Sequence, residues 1–250
     1  LIVRSAISSG KLKAYNKIPQ SDVYMICVTT PFHKNDNIPQ PNIDYVLSVT
    51  KSLAALVKPG DIIILESTSP VGTTEKIQQT LIDCGAKLKD VYIAYCPERV
   101  LPGKIIIELV DNDRIVGGLT PLSSKKVRDF YSLFVRGNIF ETDAKTAEMC
   151  KLAENSFRDL NIAFANELSI ICDKQAINIW ELINLANKHP RVNILQPGVG
   201  VGGHCIAVDP WFIISQDVEN TKLIRSARDV NNYKTEWVVN IIRKAVSKNF

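Results

Sequence analysis

The sequence predicts an α/β protein: a partial Rossmann-like parallel sheet followed by a long-helix dimerisation domain. Three observations carry this reading. Short apolar runs alternate with helical stretches up to about residue 142, and each run ends in hydroxyls or a proline. From Ala144 to about Asp173 the pattern is helical, with neither Gly nor Pro. Two more helical segments follow, over roughly 178–188 and 219–248.

Taken in order, residues 1–9 read as a helix end stopped by Gly10, and Val23–Val28 as a buried strand ending at Thr29-Thr30-Pro31. Ile43–Val57 has helical periodicity, and Pro59-Gly60 ends it. Asp61–Glu66 reads as a second strand, followed by Ser67-Thr68-Ser69-Pro70, and Thr73–Ile82 as a helix. Val91–Tyr95 is a third strand leading into Cys96-Pro97-Glu98. A β-type stretch at Arg114–Val116 and a helix at Leu122–Phe134 complete the α/β part, which Phe140–Asp143 closes. Strand, loop and helix in this rhythm indicate crossover connections and a parallel sheet. Domains are accordingly expected at 1–142 and 143–250.

Ligands of such sheets bind beyond the carboxyl ends of the strands. Three strand ends here carry Thr30-Pro31, Thr68 and Glu98. Each hydroxyl fits a helix N-cap when taken singly, and together they fit a ligand cleft.

Composition narrows the function classes. With 250 residues, 46% apolar and 22% charged, the chain reads as one or two globular domains. A net charge of +4 without a basic block argues against nucleic acid. Six scattered cysteines have no C-x-x-C pair, and the three histidines lack metal-ligand spacing, so no metal is expected. Those thiols lie mostly in apolar contexts, which suits a reducing cytoplasm. No stretch has the length of a membrane span.

The most pointed chemistry lies in Gly198-Val199-Gly200-Val201-Gly202-Gly203-His204-Cys205, with Asp209 four residues on. A thiol closing a glycine-rich loop suits nucleophilic attack, and a nearby carboxylate suits proton transfer. A tight turn whose cysteine packs as a small hydrophobe fits the same residues. The run also spells G-x-G-x-x-G, but its proline flanks lack the strand and helix that a phosphate loop needs. On the long helix, Lys151 and Asn155 are four apart and share a face.

Together these motifs resemble the nucleotide-sugar dehydrogenases, the family with UDP-glucose, GDP-mannose and UDP-N-acetylmannosamine dehydrogenases. The matching pieces are Val28-Thr29-Thr30-Pro31, Glu66–Thr74, Cys96-Pro97-Glu98, Asp113-Arg114, Lys151–Asn155 and Gly200–Cys205 with Asp209. His204 to Trp211, Cys96 to Gly103 and His189-Pro190-Arg191-Val192-Asn193 are similar to the N-acetylhexosamine branch. Ala147–Trp211 is most similar to members acting on UDP-N-acetyl-D-mannosamine. Pro102 stands where glucose-type members carry a second glutamate.

The resemblance implies oxidation of the sugar C6 alcohol to a carboxylate with two NAD, for surface polysaccharide. It implies that Cys205 forms a thiohemiacetal and then a thioester. Lys151 and Asp209 hold the base site with a water, Lys151 and Asn155 steady the C6 oxyanion, and Glu98 with Asp209 serves the hydrolytic water. Thr30, Pro31 and Thr68 face the cofactor. Arg191, Gly202, Gly203 and Arg99 contact the UDP-sugar, with Arg191 reaching the neighbouring subunit of a homodimer. Without the Cys205 loop, Lys151 reads as a surface partner of Glu148 or Glu154, and Arg191 as a helix cap.

Members also have an initial strand with G-x-G-x-x-G and a C-terminal UDP-binding domain, neither of which is found here. The expectation is therefore little or no dehydrogenase activity from these 250 residues alone, with a non-catalytic dimerising remnant as the rival.

Overall fold

The computed structural model describes residues 2–33, 38–101 and 103–249, except for the side chains of residues 248 and 249. Pro102 lies outside the described residues. Two compact units are distinguished, one comprising residues 1–29, 44–67 and 73–144, the other 30–43, 68–72 and 145–250.

The first unit is built on five strands in the order in which they occur in the chain. Helix α1 (Ile2–Ser8) ends at Gly10, whose φ of 71° lets the Lys11 and Leu12 N–H groups turn back onto the Ala6 carbonyl. Strand β1 (Val23–Ile26) pairs in parallel with β2 (Ile62–Leu65) through helix α2 (Asp44–Leu53). That helix ends four residues before the point its periodicity suggests, because the N–H groups of Ala54, Leu56 and Val57 close turns onto the Lys51 and Leu53 carbonyls. Helix α3 (Thr73–Asp83) leads to β3 (Tyr92–Tyr95), parallel to β2. The mostly parallel sheet follows from the Ile- and Leu-rich runs, since strands buried on both faces need apolar side chains throughout.

One pair departs from the parallel expectation. Strand β4 (Arg114–Gly118) runs antiparallel to β3. A right-handed parallel crossover needs a helix packed on the sheet face. The connecting helix α4 (Ile105–Asp111) contributes no buried residue, and Ile105, Ile106 and Ile107 are all exposed. Its β-branched run gives little helical signal, and the sequence reading missed it. Helix α5 (Pro121–Tyr131) then crosses back to β5 (Ile139–Asp143), parallel to β4. Thr120 caps α5 by accepting the Ser123 N–H. Under the sheet, Ile64, Ala94, Cys96, Val116, Val127 and Tyr131 form a continuous buried core.

The second unit contains α6 (Ala144–Lys174), α7 (Ile179–Ala186), α8 (Asp209–Gln216) and α9 (Lys222–Asn249). Helix α6 is unusual in what it hides. Asn155, Asp159, Asn166 and Ser169 are buried, while Phe157, Phe164 and Ile171, seven residues apart, are exposed. Among the described residues no helix is long and apolar enough to cross a membrane.

Ile64→Ala, in the centre of the sheet, should cost about 2–5 kcal/mol in a denaturant titration. Ile106→Ala, on exposed α4, should stay within about 0.5 kcal/mol.

Candidate active site

The glycine run lies between α7 and α8 and follows no strand, so it is not a phosphate loop. It hands the chain to α8 through a single turn. The Cys205 carbonyl accepts the N–H groups of Val208 and Asp209, both at 2.9 Å. An i to i+4 bond of this kind brings the two residues onto one side of the turn. Cys205 is exposed, and its thiol is free. Asp209, the first residue of α8, is buried at 2% exposure.

Asp209 is held from α6. Asn155 Nδ2 donates to Asp209 Oδ2 at 2.5 Å, a buried side-chain pair. One turn earlier on α6, the Lys151 ammonium favours the ionised carboxylate. Burial outweighs both and raises the Asp209 pKa from 3.8 to about 6. Lys151, Asn155 and Asp209 thus share one electrostatic environment, with Cys205 a turn away. A carboxyl poised near neutrality, an amine, an amide donor and an exposed thiol can together move a proton, steady an oxyanion and add to a carbonyl. Glu148 is buried with Oε2 accepting the Gly72 N–H at 2.6 Å, so it holds the loop before α3.

The other expected site residues are placed as follows. Arg191 is exposed on the loop after α7. That loop is clasped by Asn187, whose Nδ2 donates to the Ile194 carbonyl and whose Oδ1 accepts the Ile194 N–H. Gly202 and Gly203 are exposed, with Gly203 at φ 91°. Thr30, Pro31 and Thr68 belong to the helical unit. Thr30 Oγ1 caps no helix; it donates to the Thr68 carbonyl at 2.6 Å and ties the two loops together. Glu98 and Arg99 belong to the sheet-bearing unit. Glu98 Oε1 accepts the Val100 N–H of its own loop, and Arg99 Nη1 donates to the Asp113 carbonyl at 3.1 Å.

Toward a dinucleotide, the chain offers Thr30, Pro31 and Thr68, on loops that follow two adjacent parallel strands. Thr30 fits one side of such a group, because its Oγ1 spends its hydrogen on the Thr68 carbonyl and keeps lone pairs with which to accept. A glycine-rich turn from strand to helix N-terminus is not among the described residues.

Sequence reasoning overlooked Asn166, Asn231 and Thr235, which contact the glycine run or each other. Asn166 Oδ1 accepts the Gly198 N–H at 2.8 Å, and its Nδ2 donates to Asn231 Oδ1 at 2.8 Å. Thr235 Oγ1 donates to the Val199 carbonyl at 3.0 Å. Their signal was available: Asn and Thr disfavour helix interiors unless their side chains are otherwise engaged.

The chain thus combines an α/β sheet unit with a helical unit that carries Cys205, Lys151, Asn155 and Asp209. The chain belongs to the UDP-glucose/GDP-mannose dehydrogenase family, matching its NAD binding domain over residues 1–135 and its central domain over 145–233. It is 52% identical to UDP-N-acetyl-D-mannosamine dehydrogenase of Escherichia coli (strain K12), over 98% of this chain and 60% of that protein. It is 51% identical to NDP-N-acetyl-D-galactosaminuronic acid dehydrogenase of Ralstonia solanacearum, over 99% of this chain and 60% of that protein. The structure of UDP-D-ManNAc dehydrogenase from Pyrococcus horikoshii superposes with a TM-score of 0.92 at 40% identity, covering 99% of this chain and 59% of that one. The chain therefore spans about three-fifths of the length of the relatives it matches. NAD is the cofactor of this family.

The raised pKa of Asp209 has a definite sign in stability. The native state holds this proton more tightly than the unfolded chain, so the contribution of Asp209 to stability falls as pH rises from about 4 to about 6 and is level beyond. Asp209→Asn should remove that part of the slope in denaturant midpoints measured across the window. A gap between variant and parent that does not change with pH would mean that Asp209 titrates normally.

Proposed function

We propose that this chain is the NAD-side and central part of a UDP-N-acetyl-D-mannosamine 6-dehydrogenase. The reading rests chiefly on one observation, the buried Asn155–Asp209 pair at 2.5 Å under the charge of Lys151, one turn from the exposed Cys205 thiol. Thr30, Pro31 and Thr68 would hold one side of NAD, which would supply the hydride acceptor for both oxidations.

In the first oxidation the C6 alcohol gives up its proton toward Asp209 through a water, and a hydride leaves carbon, yielding the aldehyde. Cys205 thiolate then adds to that carbon. A C–S bond forms, and the carbonyl oxygen becomes an oxyanion steadied by the Lys151 ammonium and the Asn155 amide. Loss of a second hydride from this thiohemiacetal gives a thioester. Water positioned by Asp209 and Glu98 cleaves the C–S bond, releasing the uronate and restoring the thiol. Arg191, Arg99, Gly202 and Gly203 contact the nucleotide sugar, with Arg191 suited to a pyrophosphate through its forked donors.

The relative named for a galacto-configured uronate, at 51% identity, supports the wider class of nucleotide N-acetylhexosamines as a second reading. A homodimer is proposed through α6, whose exposed Phe157, Phe164 and Ile171 recur at the seven-residue spacing of a helix–helix seam.

The aldehyde of UDP-N-acetylmannosamine, offered without NAD, should shield Cys205 from iodoacetamide while Cys84 still reacts. Cys27 serves as a slow internal reference, since burial and the adjacent Glu66 carboxylate push its thiol up to about 12. Equal shielding of every thiol, or none, would refute the covalent reading; stronger shielding by the galacto aldehyde would favour the second substrate. Phe164→Glu should turn a dimer into a monomer in analytical ultracentrifugation; an unchanged sedimentation coefficient would remove α6 as the seam.

A further inference from the structure

The loop that carries Cys205 is not held by its own glycines. Its first N–H, on Gly198, ends a directional chain of buried hydrogen bonds running from α9 to α6 and back. Arg228 Nη1 donates to Asp159 Oδ1 at 2.6 Å, an ion pair whose side chains are only 3% and 1% exposed. Asn231 Nδ2 donates to the same Oδ1 and to the Asp159 carbonyl, at 2.8 and 3.0 Å. Asn231 Oδ1 accepts from Asn166 Nδ2, and Asn166 Oδ1 accepts from Gly198 N. Each amide has its orientation dictated by the neighbour before it, because a carboxylate can only accept and a backbone N–H can only donate. Flipping either amide would set two donors or two acceptors face to face in a buried site.

A second bond grips the next residue. Thr235 Oγ1 donates to the Val199 carbonyl, and the loop lies so close to α9 that a Cβ on Gly200 would fall 2.1 Å from that oxygen. Arg228, Asn231 and Thr235 follow the i, i+3, i+7 spacing of one helix face. That face meets the buried Asp159 and Asn166 of α6, the helix that also bears Lys151 and Asn155.

We propose that Asn166 and Thr235 are positioning residues for Cys205. They clamp the entrance of its loop at Gly198 and Val199, so that the thiol is indexed to the helix bearing Lys151 and Asn155. The inference rests on the reading of Cys205 as the nucleophile, and it adds residues that touch neither substrate nor cofactor. An entrance held on two consecutive residues removes backbone freedom that the glycines would otherwise give the thiol.

Thr235→Val keeps the shape and loses the donor; Thr235→Ser keeps the donor. Asn166→Ala breaks the relay but also leaves buried groups unpaired, so the threonine pair carries the decision. Hydrogen exchange of amides 198–205, resolved by peptide, should quicken by about tenfold in Thr235→Val and in Asn166→Ala. Thr235→Ser should restore it, and the melting temperature of Thr235→Val should stay close to that of the parent. Shielding of Cys205 by the sugar aldehyde should weaken in the same variants and return in Thr235→Ser. Exchange and shielding like those of the parent in Thr235→Val would overturn the clamp. So would changes confined to Asn166→Ala together with a lowered melting temperature. Faster exchange in Thr235→Val, in a chain whose Cys205 the aldehyde never shields, would uphold the clamp and instead count against the covalent chemistry.

Discussion

The helical unit depends on α6 burying polar side chains and leaving aromatic ones outside. Asn155, Asp159, Asn166 and Ser169 are each less than a tenth exposed, whereas Phe157 is 69% exposed. Burying such groups is unfavourable unless each finds a partner. Here they do, and the partners are the elements that must be located: α8 through Asp209, α9 through Arg228 and Asn231, and the glycine run through Gly198. Lys234 extends the series by donating to Ser169 Oγ at 2.7 Å while its ammonium lies 4.0 Å from the centre of the Trp237 ring. Apolar packing alone would hold these helices together with less exact register, because it is non-directional. A hydrogen bond to a particular backbone N–H is not.

The buried ion pair has to be weighed with care. Desolvation raises the Asp159 pKa even though Arg228 and Asn231 both favour the charge. Asp159 Oδ2 and Arg228 Nε have no partner among the described residues. Such a pair contributes little net stability compared with a well-packed apolar replacement. Its value is therefore in register: it fixes the polarity of the relay that ends on Gly198.

Much of the sheet was legible because buried parallel strands leave continuous apolar runs. Val23, Ile62 and Tyr92 each open a strand within one residue of where the runs begin. The reversal at β4 was not legible. It depends on α4 standing off the sheet, and three consecutive isoleucines give no hint that they will be helical and exposed. Helix α8 was missed for a related reason: Asp209-Pro210 reads as a break, while in the fold the proline occupies the first turn of a helix, where its missing N–H is harmless. Of the candidate site, Cys205, Asp209, Lys151 and Asn155 were found from motif and helical spacing, both local signals. Asn166 and Asn231 were not found, since a bond across 65 residues leaves no local trace beyond an asparagine inside a helix.

The glycines of the Cys205 loop now separate by cause. Gly200 is required twice, by a φ of 125° and by the approach of Thr235 and the Asn231 carbonyl. Gly202, by contrast, has nothing within 4 Å of a built Cβ and no positive φ, so neither local sterics nor backbone strain accounts for it. A side chain there would project from the exposed backbone three residues before the thiol. In the proposed reaction that space must admit a sugar whose C6 reaches Cys205. The absence of a side chain at 202 would then leave room for the proposed substrate, whereas at 200 it leaves room for α9.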